Sequence, residues 1–285
     1  MLYLILPVHD RAEKTRALIG DLRRQTLAEW HLLLIDDGST DGTADTVTTL
    51  LDTSRLTLIT GDGSLWWGGA LQVAWEALHS RQAMEGDAVL ILNNDVRIGP
   101  QFLAAGMKHL EADRSHWIQA IAISGEGIPP SAGIHADLRR LRLIPAGPGA
   151  PVNCLSTRGL LLSLRSFQES GGFRPWLLPH YWSDYEFTIR AARRGVPLAT
   201  CNDFELNMDR ASTGIRTAPN KSLKDFLAIA FSKRYVENPI YASIFVILCC
   251  PWVSIPVNLL RVWSGLLRNA YRAARTIGDR NQETT

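Results

Sequence analysis

Short apolar runs alternate with amphipathic stretches through the first 110 residues. Residues 2–8 form an apolar run closed by Pro7 and a polar cluster. Residues 14–24 carry Ala17, Leu18 and Leu22 among charges, the pattern of a surface helix. Residues 31–35 are again apolar and end in Asp36-Asp37-Gly38-Ser39. Helical spacing follows at 43–51, a third strand at 56–59, a helix at 69–79, a fourth strand at 88–92 and a helix at 101–110. Strands alternating with helices predict an α/β fold: a mostly parallel sheet with helices on both faces.

Ligands of such sheets sit beyond the carboxyl ends of the strands. The polar clusters at 9–11, 36–41, 61–64 and 93–95 each follow an apolar run, so they are expected at one sheet edge. The second half is less regular. Residues 117–123 and 159–164 read as strands, and 184–194 and 222–235 as helices. Residues 125–151, rich in Gly and Pro, read as an excursion over the site.

The tail differs. Residues 240–260 contain no charged side chain, a length that can cross a bilayer, yet Pro251 and Pro256 interrupt them. Residues 257–275 then place Leu260, Trp263, Leu267 and Tyr271 along one side of a helix, with Arg261, Arg268, Arg272 and Arg275 around the other. That pattern suits a helix lying in the headgroup region of a membrane. A span, a broken hairpin in the membrane and a contact with a partner subunit remain alternatives. The expected division is a catalytic domain over 1–220 and a C-terminal helical, membrane-associating segment over 221–285.

Composition narrows the function. A net charge of +2 gives no concentrated basic surface for nucleic acid. The four cysteines form no CxxC pair, which fits a reducing compartment. The amino-terminal run is short and has no basic segment before it, so it reads as a buried strand and not as a signal peptide. No GxGxxG or GKS phosphate loop is present.

Three clusters carry candidate chemistry, each beside a plainer alternative. Asp36 and Asp37 can accept hydrogen bonds from a base or ribose, or form a turn. Asn93-Asn94-Asp95 ends a strand; it can hold Mg²⁺ or Mn²⁺ against a diphosphate, or simply turn the chain. Trp182-Ser183-Asp184-Tyr185-Glu186 opens a helix, where Asp184 is a general base or a cap. The aromatics around it stack on sugars or pack in the core. His180, close by, can bind acceptor or phosphate.

The stretches ILPVHDR, LLLIDDGSTDGTAD, GDGSLWWGGALQVA, VLILNNDV and GGFRP…YWSDYEFTIRAARRG, in that order and spacing, resemble the family 2 glycosyltransferases of GT-A fold over roughly residues 1–215. The LWWGGA and NNDV forms are most similar to bacterial rhamnosyltransferase-type members. The resemblance implies that Pro7, His9 and Asp10 meet the nucleotide. It implies that Asp37 contacts the base with Asp36 in support, and that Gly68, Gly69 and Ala70 lie beside base and donor sugar. It implies Asn94 and Asp95 in place of a DxD motif, with Asp95 on the metal. Asp184 matches the catalytic base of an inverting transfer, with Glu186 supporting it, and Trp182 and Glu186 are expected to bind substrate.

The chain departs from the family pattern at Asn93 and Ser183, each standing where an acid is usual, and at 207–214, where no histidine precedes the STG segment and Asp209 is the candidate substitute. The expected activity is transfer of a sugar from a UDP- or dTDP-linked donor, with Mg²⁺ or Mn²⁺, to a saccharide or lipid-linked glycan acceptor. The expected place of work is the cytoplasmic face of the cell membrane. A nucleotidyltransferase is disfavoured, because the loop after the first strand lacks glycine. A non-catalytic nucleotide-sugar-binding or scaffold protein is the second alternative.

Overall fold

The computed structural model describes residues 1–125, 130–147, 149–208 and 223–283. The first four strands are β1 (Leu2–Val8), β2 (Trp30–Asp36), β3 (Leu56–Thr60) and β4 (Ala88–Ile91). Between them run the helices α1 (Ala12–Leu22), α2 (Thr43–Leu50) and α3 (Trp66–His79). A short strand β5 (Val96–Ile98) leads into α4 (Phe102–Ala112), followed by β6 (Trp117–Ile123). The excursion expected over 125–151 contains a hairpin of β7 (Ile134–Asp137) and β8 (Arg142–Pro145). Then come β9 (Leu160–Ser163), α5 (Leu164–Glu169), α6 (Ser183–Arg193) and β10 (Leu198–Met208).

The strands other than the hairpin build one eight-stranded sheet in the order β3-β2-β1-β4-β9-β6-β10-β5. β1 is parallel to both β2 and β4, and β2 to β3. β9 enters antiparallel between β4 and β6, while β10 is parallel to β6 and β5 antiparallel to β10. The expected mostly parallel α/β sheet is thus present, with two reversed strands. β10 had no clear sequence signal because its surface alternates irregularly and its register shifts between Cys201 and Glu205.

The buried face of β1 and β2 is almost continuous, as strands covered on both sides require. One core lies under α1 and α4 and includes Leu4, Leu32, Leu90, Phe102 and Phe204. The other lies under α3 and α6 and includes Ile5, Leu71, Ile91, Trp117, Phe173 and Phe187. Phe187 stacks on Phe173 at 4.1 Å between ring centroids.

The tail folds back on this body. α7 (Leu223–Ala230) is shorter than the helix predicted from 222 to 235, and residue 222 lies outside the described residues. α8 (Pro239–Cys249) begins with Asn238 capping the Ile240 and Tyr241 amides, and ends before Pro251. A single 3₁₀ turn at Trp252–Ser254 leads into α9 (Ile255–Glu283), whose first turn accommodates Pro256. Among the described residues no helix is long and apolar enough to cross a membrane.

α8 docks on α6. Phe245 is fully buried and lies 4.7 Å from the Trp182 ring. Asn258 of α9 donates to Leu138 O in the turn between β7 and β8 at 3.0 Å. Tail and hairpin therefore brace each other. α9 leaves Val257, Leu260, Leu267 and Tyr271 exposed along one side, and Trp252 of the preceding 3₁₀ turn is exposed as well.

The buried Thr188 hydroxyl ties α6 to the chain before β9. It receives the Leu155 N–H at 3.0 Å and lies 2.9 Å from Leu155 O. Thr188→Val keeps the shape and removes both partners. Loss of about 1–3 kcal/mol is expected, the cost of an unsatisfied buried amide. Urea denaturation followed by tryptophan fluorescence measures it.

Candidate active site

The carboxyl ends of β1, β2, β3 and β4 open onto one edge, and the loops leaving them are stitched by short polar side chains. After β1, Asp10 takes a left-handed conformation, φ 47°. Its carboxylate accepts the Thr40 N–H at 2.7 Å, and its own N–H donates to Ser39 Oγ at 3.0 Å. His9 Nδ1 sits 2.7 Å from Asp37 O. The exposed His9 and Asp10 thus join the first loop to the second. Pro7 is buried inside β1, opposite Ile35 of β2.

Asp36 and Asp37 organise the next two loops. Asp36 Oδ1 accepts the Ser39 N–H at 2.9 Å. The buried Asp37 carboxylate accepts three backbone amides from the β3–α3 loop: Gly63 at 2.9 Å, Leu65 at 3.1 Å and Trp66 at 2.9 Å. A carboxylate offers about four acceptor directions, so most of this one is spent on holding the loop. The turn after Asp37 presses against the same loop. A Cβ on Gly38, which has φ +69°, would come within 2.8 Å of Gly63 N.

α3 carries the glycines next. Gly68 N–H donates to Pro179 O at 2.8 Å, and a Cβ there would lie 2.6 Å from Leu178 O. Gly68 is therefore small because the 178–179 backbone passes directly over it. Gly69 makes only ordinary contact with Leu65. The Trp67 indole N–H donates to Thr157 Oγ1 at 3.1 Å. Trp66 faces His180 with ring centroids 5.6 Å apart. Burial pushes the His180 imidazole down to about 4, helped by the cationic Arg234, so it is neutral near pH 7.

Asn93, Asn94 and Asp95 fill the turn between β4 and β5. Asn94 donates to Thr15 Oγ1 at 3.1 Å, which fixes the turn against α1. Asn93 Oδ1 is buried and has no hydrogen-bond partner. Among the described residues no three His, Cys, Asp or Glu side chains come together to hold a metal ion. Asp95 is the one carboxylate of the turn. That fits the mode in which Mg²⁺ or Mn²⁺ is held by one or two carboxylates, substrate phosphates and water, but not an all-protein cage. Asp209 lies outside the described residues.

Asp184 sits in the first turn of α6. Its carboxyl is half-buried, and desolvation lifts it from 3.8 to about 6. The Tyr185 amide at 3.0 Å, the Arg158 guanidinium and the Thr157 amide pull the other way and lose. α6 begins at Trp182, whose backbone is left-handed at φ 71°. The Trp182 ring is turned into the protein: its N–H donates to Val236 O at 3.2 Å and its face meets Phe245. It anchors the tail to the start of α6. Glu186 is likewise committed. It is buried and pairs with Arg190 at 2.8 Å and Arg174 at 3.2 Å. Both residues, expected to bind substrate, are thus engaged with other parts of the protein in this structure.

Sequence reasoning passed over Arg158. It reaches Met208 Sδ at 3.0 Å and acts on Asp184, and its Nε is buried without a partner. No motif marks it.

The same fold recurs in solved structures. The chain resembles S. aureus TarS 1–349 (TM-score 0.55, 14% identity, covering 86% of this chain and 69% of that one). It resembles the mannosyltransferase PcManGT from Pyrobaculum calidifontis, in complex with GDP-Man and Mn2+ (0.57, 18%, 96% and 75%). It also resembles GalNAc-T7 with UDP, GalNAc and Mn2+ (0.60, 12%, 85% and 50%). At these identities the likeness is one of fold. No curated protein matches the chain. Residues 3–159, more than half of the chain, match the family model described as Glycosyl transferase family 2. With its sheet, its Asp36-Asp37 turn and the Asn93-Asn94-Asp95 turn all on one edge, the chain belongs to glycosyltransferase family 2.

Proposed function

We propose that this enzyme transfers a hexosyl unit, with inversion, from a UDP- or dTDP-linked donor to a hydroxyl of a saccharide or lipid-linked glycan in surface polysaccharide synthesis. The observation that carries this is Asp184: a half-buried carboxyl at the edge where β1, β2 and β4 end, lifted to about 6. At pH 7 about nine-tenths of such a group is ionised, yet it is a stronger base than an ordinary aspartate. Asp184 takes the proton of the acceptor hydroxyl. The acceptor oxygen bonds to the anomeric carbon as the bond from that carbon to the diphosphate oxygen breaks, and that oxygen keeps the electron pair. One displacement gives one inversion. The LWWGGA and NNDV sequences support a rhamnosyl-type donor.

The polar loops after β1 and β2, with the start of α3, hold the nucleoside. The neutral His180 beside Trp66 adds a polar ring without charge to the space between α3 and α6. A divalent ion, bound at Asp95 and by the donor's phosphate oxygens, would supply further neutralisation of the leaving diphosphate.

We infer that the enzyme works on the cytoplasmic face of the membrane. Trp252 is 82% exposed, Leu260 70% and Tyr271 69%, and they follow one side of α9 and its entry turn, with Arg261, Arg268 and Arg272 close by. Exposed apolar side chains beside arginines suit an anionic lipid surface.

Four outcomes test these statements. Asp184→Asn should lower kcat by at least about 10³-fold while donor binding changes little, as removal of a general base requires; a variant with near-normal turnover removes the assignment. In the wild type, kcat/KM should fall tenfold per pH unit below about 6, because the protonated acid accepts no proton.

The same carboxyl affects stability with a definite sign. Its folded pKa lies above its unfolded value, so the fold is favoured below about pH 4 and progressively penalised up to about pH 6. Asp184→Asn should therefore melt higher than wild type at pH 7.5, by about 1–2 kcal/mol after allowing for solvent screening, and equal it near pH 4. Differential scanning calorimetry at both pH values reads this directly.

Leu260→Glu with Leu267→Glu changes only exposed positions. The double variant should stay in solution where wild type floats with vesicles containing anionic lipid. Equal flotation would refute the membrane surface.

A further inference from the structure

Arg158 is a cation on the segment that enters β9 at the polar edge of the sheet. β9 runs antiparallel to β4 with Leu160 opposite Ile91, and the Gly159 N–H donates to Ile91 O at 2.9 Å. That bond is one residue out of the strand register and Gly159 is left-handed (φ +71°), so the ladder ends there and Arg158 leaves the sheet at the end of β4 that leads into the Asn93-Asn94-Asp95 turn. On the far side, β10 reaches this edge with Met208 opposite Val96, directly after Asp95. Arg158 Nη1 meets the Met208 sulfur at 3.0 Å. Thr157, its neighbour, is tied to α3 through Trp67. Arg158 thus stands between the Asn93-Asn94-Asp95 turn and Asp184.

Its hydrogen bonding is poor for a guanidinium. A thioether is a weak acceptor, and guanidinium stays charged at any physiological pH. Nε is buried and makes no hydrogen bond. Among the described residues it forms no salt bridge, and the Asp184 carboxylate acts on it from longer range. In the turn after β4, Asn93 Oδ1 is also buried and unpartnered. Each such atom carries a desolvation cost that a hydrogen-bonding partner would remove. An aspartate at 93 would add a negative charge to that turn.

We propose that Arg158 binds the donor's diphosphate. Its planar fork pairs with the phosphate oxygens. It takes up part of the negative charge that grows on the leaving oxygen as the bond to the anomeric carbon breaks. The proposal rests on the transfer reading above and adds to it a protein cation at the leaving group.

Calorimetric titration of the full chain tests it with UDP, dTDP or GDP, whichever binds, and with the matching nucleoside, in EDTA and in Mn²⁺. Wild type should bind the diphosphate in EDTA at least tenfold more tightly than the nucleoside. Arg158→Gln should lose most of that difference and Arg158→Lys only part of it, while nucleoside affinity stays the same. Asn93→Asp, which adds a carboxylate to the neighbouring turn, should weaken diphosphate binding in EDTA in the same direction.

Arg158→Gln binding the diphosphate as wild type does, in both buffers, overturns the proposal. So does an effect confined to the acceptor's KM, which would assign the guanidinium to the acceptor. If Arg158→Gln also loses nucleoside binding, the variant is misfolded, and Arg158→Lys with Asn93→Asp decide the matter by the same criteria. If wild type binds no nucleotide in either buffer, the transfer reading itself fails and this proposal falls with it.

Discussion

The Asp37 carboxylate is the joint on which the donor side of the molecule turns. β1, β2 and β3 are parallel, so their loops leave at the same edge with backbone amides that no strand partner satisfies. One buried carboxylate collects three of those amides, from Gly63, Leu65 and Trp66. That fixes the start of α3, and α3 in turn positions Gly68 against Pro179 and Trp67 against Thr157. The segment that carries Asp184 is therefore located, through a chain of short hydrogen bonds, by an aspartate nearly 150 residues earlier. An exposed carboxylate would serve poorly here, because water would compete for the same amides.

The second half of the site obeys a different constraint. α6 is committed on one side and available on the other. Phe187 and Thr188 bind it to the core, Glu186 to Arg174 and Arg190, and Trp182 to the tail. Asp184 is left in a recess that raises its proton affinity. Desolvating a carboxyl costs folding free energy, and the surrounding packing offsets it. The buried Phe245 of α8 supplies part of that packing, so the tail supports the segment that carries Asp184 as well as presenting an apolar side to its surroundings. A tail that only spanned a membrane could not do this.

Much of this was legible in the sequence because its causes are local. The alternation of apolar runs and amphipathic stretches gave the first four strands and their helices, since periods of two and 3.6 residues are set by backbone geometry. Strand ends followed by Asp-Asp-Gly or Asn-Asn-Asp located the polar edge. Pro251 marked the break between α8 and α9, and the arginine spacing marked the amphipathic side of α9. β9 read as a strand, but nothing within it showed that it would run antiparallel between β4 and β6. β10 and the β7–β8 hairpin gave no clear periodicity.

What the sequence by itself determined was the fold class, the family and the residue types waiting at the sheet edge, because these follow from nearest-neighbour patterns and ordered motifs. What only the tertiary structure decided was which partners those residues take. Trp182 docks on the tail and Glu186 pairs with Arg174 and Arg190, while Arg158 belongs to no motif and meets Met208, 50 positions away. Burial, partner and electrostatic surroundings depend on segments brought together from distant parts of the chain, and no local pattern encodes that meeting.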